Sequence, residues 1–279
     1  MSNTRLIADA IDFMEDKLQA ELVIADAAEA VACSLFHFCR LFNQLTHHTP
    51  YDYLLRRRLS ESARELLESE RKIIDVALDY QFNGPETYSR AFKRMFGVQP
   101  SQWKKHGRIP RRSLLPRLTL DYIEHVNQGD YLKPVPVERE AFCVAGFSTL
   151  VRGERQAADG LWKMLGGHGE GIEDAARYGI VSYPSAWEGD DFFYMAAVKV
   201  ESPHVTNPSL VVKTIPAMSY ARFIHKGRAR ELELSLAYIY HTWLPKSGLG
   251  LACPLEIEEY GPAFVDGPEA ERAIYVPVT

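Results

Sequence analysis

Apolar side chains recur every three or four positions through the first hundred residues, which is the period of one face of an α-helix. In the opening stretch TRLIADAIDFMEDKL, this spacing predicts a buried stripe formed by Leu6, Ala10, Phe13, Met14 and Leu18. Asp26 and Ser34 are suited to cap the two short helices that come next. This part of the chain is therefore predicted to be all-α.

One arrangement of helices occurs twice in this region. A short helix, a tight turn and a longer helix with an arginine on its polar side are predicted over Ala25–Leu45 and again over Ile73–Phe96. A long helix predicted over Pro50–Glu68 separates the two copies. Its start is predicted at Pro50 because proline favours the first helical position. Gly97 is a typical helix end. The pattern predicts two helix-turn-helix units in tandem.

Beyond a proline-interrupted basic stretch, GRIPRRSLLPR, the pattern changes to short β-rich runs. Two helical segments interrupt these runs, and they end alike, one at Trp162 and the other at Trp243. The order strand, helix, strand, strand occurs twice, which predicts an α+β domain of duplicated βαββ units. The predicted fold is thus an all-α tandem helix-turn-helix domain over 1–107, a linker over 108–117 and an α+β domain over 118–279.

Charge is distributed unevenly along the 279 residues. The net charge is −5, yet residues 40–112 hold 15 Lys and Arg against 8 Asp and Glu. A basic segment inside an acidic chain indicates a local site for a polyanion, with nucleic acid as the first candidate and a membrane or an acidic partner as the second.

Other classes of protein find little support in the composition. We expect no membrane partner, because no run reaches the roughly 18–20 apolar residues of a membrane helix. Four cysteines in so long a chain do not form a disulfide framework, so we expect a cytoplasmic location. No metal site, cofactor site or catalytic motif is predicted, because neither zinc-ligand spacing nor a phosphate-binding glycine loop is present.

The second helix of each unit has a polar face opposite its buried stripe. In the second unit the predicted stripe is Tyr88, Ala91, Phe92 and Met95, which leaves Glu86, Thr87, Arg90, Lys93 and Arg94 on the other side. Arg90 lies near the middle, within reach of base edges, while Lys93 and Arg94 suit phosphates. In the first unit the stripe is Leu35, Phe38, Phe42 and Leu45, which leaves Phe36, Arg40 and Asn43 opposite. An exposed phenylalanine there suits contact with a thymine methyl group.

A solvated face of a helical bundle is the competing interpretation of either helix alone. Two copies favour DNA, because the helix between them spans roughly 28 Å at ~1.5 Å per residue. That length is close to the ~34 Å between successive major-groove entries on one side of B-DNA. Glu86 has two interpretations, since it suits a cytosine amino group or the positive end of its own helix.

The motifs of this half resemble the AraC family of DNA-binding domains over about residues 3–107. They are S-x-x-H-x-x-R-x-F from Ser34, TP-x-x-Y from Thr49 and T-x-x-R-x-F-K-x-x-F-G-x-x-P from Thr87. The resemblance implies a regulator of transcription on double-stranded promoter DNA, with RNA polymerase as a candidate further partner. It places base-reading positions at Phe36, Cys39, Arg40, Pro85, Glu86, Thr87 and Arg90. Ala32 stands where these domains usually have a turn glycine, and Cys39 and Pro85 replace longer polar side chains.

The stretch PLEIEEYG carries the candidate chemistry of the second half. Alternation along a strand places Glu256, Glu258 and Tyr260 on one face, but does not say which face is buried. A carboxylate in an aromatic-lined cavity would bind a lipophilic cation through charge pairing and cation–π contact. An edge strand with solvated acids is the alternative.

The motifs IPAMSYARFIHKG, YHTWLPKSG and P-x-x-I-E-x-Y resemble the GyrI-like effector-binding domain over about residues 118–279. The resemblance implies a sensor of a small, cationic or amphipathic effector with a central glutamate. The E-x-Y match assigns that role to Glu258, with Tyr260 beside it, although Glu256 is an alternative two residues away. Tyr220, Trp187 and Tyr183 are candidates for the aromatic wall.

Two other functions compete with a DNA-binding regulator that senses an effector. The C-terminal domain could be a small-molecule hydrolase that uses Glu258 as its base, because some GyrI-like relatives hydrolyse reactive compounds. It could instead be a module that sequesters a partner protein. We favour the regulator without enzymatic activity.

Overall fold

A computed structural model describes residues 2–107, 112–129, 132–152, 158–166, 176–184, 191–202, 207–262 and 264–279. The chain divides into two compact units. The first, here called the helical unit, contains Met1–Gln128 together with Leu236–Trp243. The second, the sheet unit, contains Gly129–Ser235 and Leu244–Thr279. Within the described residues, no helix is long and apolar enough to cross a membrane.

The helical unit confirms the predicted succession of helices as far as α6 and adds α7 and α8, which were not predicted. They are α1 (Asn3–Glu15), α2 (Ile24–Ala30), α3 (Leu35–Thr46), α4 (Pro50–Glu68), α5 (Ile73–Asp79), α6 (Pro85–Phe96), α7 (Pro100–His106) and α8 (Leu120–Val126). The ends of α4 and α6 coincide with their predicted ends, because local chemistry fixes them. Thr49 accepts a hydrogen bond from the Asp52 N–H at 3.1 Å, Pro50 opens α4, and Gly97 ends α6 with a left-handed φ of 77°.

Both helix-turn-helix units use the same turn. The Cys33 N–H donates to the Ala28 carbonyl at 2.9 Å, and the Phe82 N–H donates to the Ala77 carbonyl at 3.0 Å. The residue before each donor is left-handed, with φ of 52° at Ala32 and 64° at Gln81. A left-handed turn position favours glycine because a Cβ atom crowds the backbone there. This explains why glycine is usual at the position that Ala32 occupies.

The buried stripe of α3 is rotated slightly from its prediction. Phe38, Leu41, Phe42 and Thr46 are buried, whereas Leu35 is 49% exposed. Leu35 is the first residue of its helix, so it lies beyond the layer of side chains that packs below α3. In α1 the buried residues also include Ile7 and Ile11, on the side of the stripe that the prediction left out.

A buried ion network ties α4 to α1. Arg57 donates to Glu15 Oε2 at 2.8 Å and to Glu61 Oε1 at 2.7 Å, and also reaches the Leu115 carbonyl at 2.6 Å. Tyr53 adds a hydrogen bond to Glu15 Oε1 at 2.7 Å. Desolvated charges of this kind persist only when they are paired, so the network fixes the long helix against its neighbours.

The helical unit extends beyond the predicted linker. Leu115 and Leu118 are buried, and Ile123 of α8 is fully buried. Residues 108–111 of the predicted linker lie outside the described residues. The domain boundaries at 107 and 118 therefore stay predictions beside a compact unit that runs to Gln128.

The segment Leu236–Trp243 of the helical unit contains one stretch of π-helix, Tyr238–Trp243. Thr242 Oγ1 lies 2.9 Å from His48 Nε2 and 3.0 Å from the Tyr122 hydroxyl. Arg56 donates to the His241 carbonyl at 2.7 Å. The single helix predicted over RELELSLAYIYHTWL is thus four consecutive pieces. A short 3-10 helix (Ala229–Glu231) and α10 (Leu232–Ala237) come before the π-helix, and α11 (Leu244–Ser247) follows it.

Within the described residues, the sheet unit is built on eight antiparallel strands. They are β1 (Val135–Arg139), β2 (Phe142–Val151), β3 (Arg177–Ser182), β4 (Phe192–Val200), β5 (Val211–Ile215), β6 (Met218–Lys226), β7 (Leu255–Tyr260) and β8 (Glu271–Pro277). Helix α9 (Asp159–Gly166) follows β2. The strand order is β1-β6-β8-β7-β3-β4-β2-β5, and β3 pairs with β7 at the centre.

This order confirms the duplication and adds a strand to each repeat. The predicted units are β2-α9-β3-β4 and β6-α10-β7-β8, and each is preceded by one more strand. Each added strand pairs with the other repeat, since β1 pairs with β6 and β5 pairs with β2. The run over 210–227 is two strands rather than one, because Pro216 lacks the N–H that a continuous ladder needs.

The central strands separate two apolar clusters. The first contains Ile180, Ile257, Tyr220 and Tyr275. The second contains Leu161 of α9 with Phe192 and Tyr194 of β4. Because side chains alternate along a strand, Glu256, Glu258 and Tyr260 of β7 lie on the opposite face from Ile257.

Candidate functional site

The polar face of α3 points to solvent because aromatic side chains on the opposite face of the helix are buried. Phe38 and Phe42 are fully buried, and their rings contact each other at 5.6 Å between centroids. On the opposite side, the structure brings the predicted residues together at helical spacing. Phe36 is 81% exposed, Arg40 and Asn43 are exposed, and Cys39 is half-buried at the edge.

The polar face of α6 is held in the same way. Tyr88 and Phe92 are fully buried, and the Tyr88 hydroxyl donates to Ser62 of α4 at 3.0 Å. Arg90 follows buried Tyr88 by two residues, as Arg40 follows buried Phe38. The two arginines therefore occupy equivalent positions in the two units. All five predicted residues of this face are exposed, namely Glu86, Thr87, Arg90, Lys93 and Arg94.

The cations of these two faces differ from several other arginines of the helical unit. Arg57, Arg64 and Arg71 each pair with a carboxylate at 2.6–2.8 Å. Within the described part of the chain, the cations of the two faces form no ion pair, namely Arg40, Arg90, Lys93 and Arg94. Unpaired, exposed cations on two repeated helix faces are suited to bind phosphates and base edges.

The sheet unit places a buried carboxylate at its centre. Glu258 is 1% exposed and lies opposite Gly179 of β3 in the strand register. It accepts hydrogen bonds from the Tyr260 hydroxyl and, at 3.4 Å, from the Tyr194 hydroxyl. A Cβ atom on Gly179 would lie only 2.4 Å from the Tyr194 hydroxyl oxygen and 3.2 Å from Glu258 Oε2. Glycine is therefore required here for the two side chains to meet.

Aromatic rings surround this carboxylate. The Trp162 ring of α9 lies 5.0 Å from the Tyr260 ring and 6.4 Å from the Tyr194 ring. Phe264 contacts Tyr260 from another side, with centroids 4.8 Å apart. Burial and the negative charge of Glu258 raise the pKa of Tyr260, so its hydroxyl stays a proton donor to the carboxylate.

The predicted ligand residues are only partly brought together. Tyr260 contacts Glu258, and Tyr183 packs against the cluster that contains Tyr194. Tyr220 belongs to the other cluster, on the opposite side of the sheet, because strand alternation turns it away from Glu258. Glu256 is also buried, on the same face as Glu258. Trp187 lies outside the described residues.

Sequence reasoning did not single out Gly179, Tyr194 and Trp162 as neighbours of Glu258. Trp162 was noted only as part of the repeated helix ending. The signals that could have found them are a lone glycine inside a strand, which indicates a close approach, and the Tyr194 side chain on an alternating strand. These residues come close to Glu258 only because of the register between β3 and β7, and no local sequence pattern indicates that register.

Comparison with known proteins identifies both halves of the chain. A helix-turn-helix domain family matches residues 27–106, and the family of GyrI-like small molecule binding domains matches residues 133–279. Transcriptional regulator Rob of Salmonella typhimurium is 26% identical over 270 residues, which cover 94% of this chain and 92% of Rob. Right origin-binding protein of Escherichia coli K12 is 25% identical over 274 residues, with the same two coverages.

The N-terminal half is also similar to a shorter regulator. Regulatory protein SoxS of Escherichia coli K12 is 35% identical over 104 residues, which cover 37% of this chain and 97% of SoxS. These similarities favour a regulator over the hydrolase and the sequestering module. The chain belongs to the AraC-type transcription regulators that carry a GyrI-like domain, and it is a DNA-binding regulator that senses small molecules.

Proposed function

We propose that α3 and α6 read two adjacent major grooves of an asymmetric promoter site. Arg40 and Arg90 contact base edges, while Lys93 and Arg94 hold phosphates. The observation that carries this assignment is the repeated exposed face whose cations pair with no carboxylate in the described residues. Because both units are in one chain, a single molecule occupies both grooves, and the two half-sites need not be related by symmetry.

The remaining residues of the two faces have narrower roles in this proposal. Phe36 contacts a thymine methyl group, and Asn43 contacts an adenine edge or a phosphate. Cys39 and Thr87 lie at the edges of their faces, where short side chains let the helix approach the bases. Glu86 strengthens the start of α6, where it meets the positive end of the helix. Pro85 sets that start.

Substitution of the two arginines tests this assignment. Arg40→Ala and Arg90→Ala each remove one base contact, so each should weaken binding to the promoter site by about 1–3 kcal/mol at fixed salt. Arg64→Ala is the matched control, because Arg64 is a partly exposed arginine of α4 that pairs with Glu61. Fluorescence anisotropy with a labelled duplex measures the affinities. Promoter affinity equal to that of the unsubstituted protein in both variants would refute the assignment.

We further propose that the effector is a lipophilic cation bound at Glu258. A buried carboxylate attracts a cation, and the rings of Trp162, Tyr194 and Tyr260 add cation–π contact. Tyr183 and Trp187 are proposed to extend the aromatic wall. Glu258 acts here as a binding group and not as a catalytic base. Glu256 supplies a second negative charge on the same face.

A matched pair of substitutions on one strand tests the effector site. Tetraphenylphosphonium is a suitable probe because it combines a delocalised positive charge with aromatic surface. At a hundredfold excess over its dissociation constant, it should stabilise the protein by about 2.7 kcal/mol in a thermal-shift assay. Glu258→Gln should abolish that gain, whereas Glu259→Gln should keep it, because Glu259 faces the other way and pairs with Arg139 at 2.8 Å. Equal gains in both variants would contradict the site.

The effector regulates DNA binding if it binds the state that is competent for DNA more tightly than the state that is not. We propose that this takes place on promoter DNA in the bacterial cytoplasm, with RNA polymerase as a protein partner. Co-purification of RNA polymerase with the protein on promoter DNA, but not on a fragment without the site, tests that partner.

A further inference from the structure

A cleft of about 480 Å³ lies between α4 and α6 in the helical unit. One wall is a face of α4 that includes Tyr51 and Arg58, and the other is a face of α6 that includes Thr87, Arg90 and Arg94. Residues of the connection between α5 and α6, among them Asn83, also line the cleft. The cleft is therefore continuous with the face of α6 that carries the proposed base-reading arginine.

The lining of this cleft suits a polyanion. Its lining residues include three arginines and no aspartate or glutamate. Arg58 is fixed in place by hydrogen bonds to the Leu18 carbonyl at 2.9 Å and the Ala20 carbonyl at 2.8 Å, neither of which neutralises its charge. Tyr51 is 67% exposed, which leaves its hydroxyl accessible at the rim.

The dimensions of DNA place a strand over this cleft. A helix with its side chains is about 10–12 Å across, and the major groove is about 12 Å wide. A helix seated in the groove therefore has a sugar–phosphate backbone along each of its sides. On the side of α6 that carries Thr87, Arg90 and Arg94, the space beside the helix is the cleft against α4.

We propose that this cleft seats the sugar–phosphate backbone of one DNA strand, with the Tyr51 hydroxyl and the Asn83 amide as phosphate contacts beside Arg58 and Arg94. This inference rests on the proposed placement of α6 in a major groove. It gives α4 a second role, since the helix that separates the two reading helices also touches the DNA. Both Tyr51 and Asn83 lie outside the two reading helices, and their contacts carry no base specificity.

Affinity for two duplexes separates this role from base reading. The double variant Tyr51→Phe/Asn83→Ala removes only neutral donors, and each lost hydrogen bond to a charged phosphate should weaken binding about tenfold. The loss should be the same factor for the target duplex and for a scrambled duplex. The salt dependence should stay unchanged, whereas Arg94→Gln should lower the slope of log affinity against log salt by about one. Ser101→Ala, which removes an exposed hydroxyl from α7 outside the cleft, is the control.

Two outcomes would overturn the inference without affecting the proposed function. One is that the double variant keeps its affinity for both duplexes, while Arg90→Ala still has a lower affinity for the target duplex. The other is a loss confined to the target duplex, which would make these residues base readers. A thermal unfolding midpoint equal to that of the unsubstituted protein shows that the double variant is folded. As a second readout, replacing the contacted phosphate by a neutral methylphosphonate should reduce the DNA affinity of the unsubstituted protein more than that of the double variant.

Discussion

His241 shows how a single buried side chain makes stability depend on pH. Burial, with the charges of Arg56, Arg112 and His48, lowers the pKa of His241 to about 3 from its ordinary value of 6.5. The folded protein therefore keeps this imidazole neutral at pH 4–8. The unfolded chain binds a proton there as the pH falls below 6.5, so the unfolded state gains stability relative to the folded state.

The expected consequence is a loss of stability on mild acidification. Between pH 7.5 and pH 5.5, this one group should cost the helical unit about 1.4 kcal/mol. His241→Gln removes the titrating group, so the variant should lose that much less over the same interval. Hydrogen exchange of buried amides in the helical unit, corrected for the intrinsic rates, measures the opening free energies. An identical pH dependence in both proteins would contradict the neutral, buried state of His241.

At the scale of elements, the two helix-turn-helix turns hold their reading helices through a left-handed residue. Ala32 and Gln81 occupy these positions with φ of 52° and 64°. An L residue with a side chain is strained there by about 1–2 kcal/mol, whereas glycine is not. The turn between α2 and α3 is therefore formed at some cost to stability.

Ala32→Gly should relieve this strain. We expect a gain of about 0.5–1 kcal/mol, because the relief is partly offset by the greater freedom of glycine in the unfolded chain. Ala25→Gly is the matched control, since Ala25 lies in α2 with ordinary helical geometry and should instead lose up to about 1 kcal/mol. Amide exchange in α2 and α3 measures both changes. A loss of stability in Ala32→Gly would contradict the account of the turn.

The elements that could be predicted from sequence are those with local end signals. The ends of α4 and α6 follow from Pro50, Gly84-Pro85 and Gly97, which act within one or two residues. Strands β1 and β5 could not be predicted as edge strands, because the residues that each pairs with in the other repeat are at least 65 positions away in sequence. The same reason applies to the proposed ligand site. The E-x-Y motif indicates Glu258, but its neighbours come from strands and a helix that are distant in sequence.

In the whole molecule, each of the two units contains an internal duplication. The helical unit repeats one reading helix on either side of α4, and the sheet unit repeats one βαββ arrangement around the β3–β7 pair. In the first case the two copies differ at their exposed positions, so the proposed reading helices are expected to prefer different sequences. In the second, only β7 carries the buried Glu258, so one chemical site arises from two similar halves.

In the proposed function, one chain reads two different half-sites, one with each helix. Selection of binding sequences from a random DNA pool, followed by sequencing, tests it with the unsubstituted protein, Arg40→Ala and Arg90→Ala. We expect an asymmetric site with two informative blocks about one helical turn apart. Arg40→Ala should lose information in one block and Arg90→Ala in the other. A single block, or two variants that lose the same block, would contradict the account.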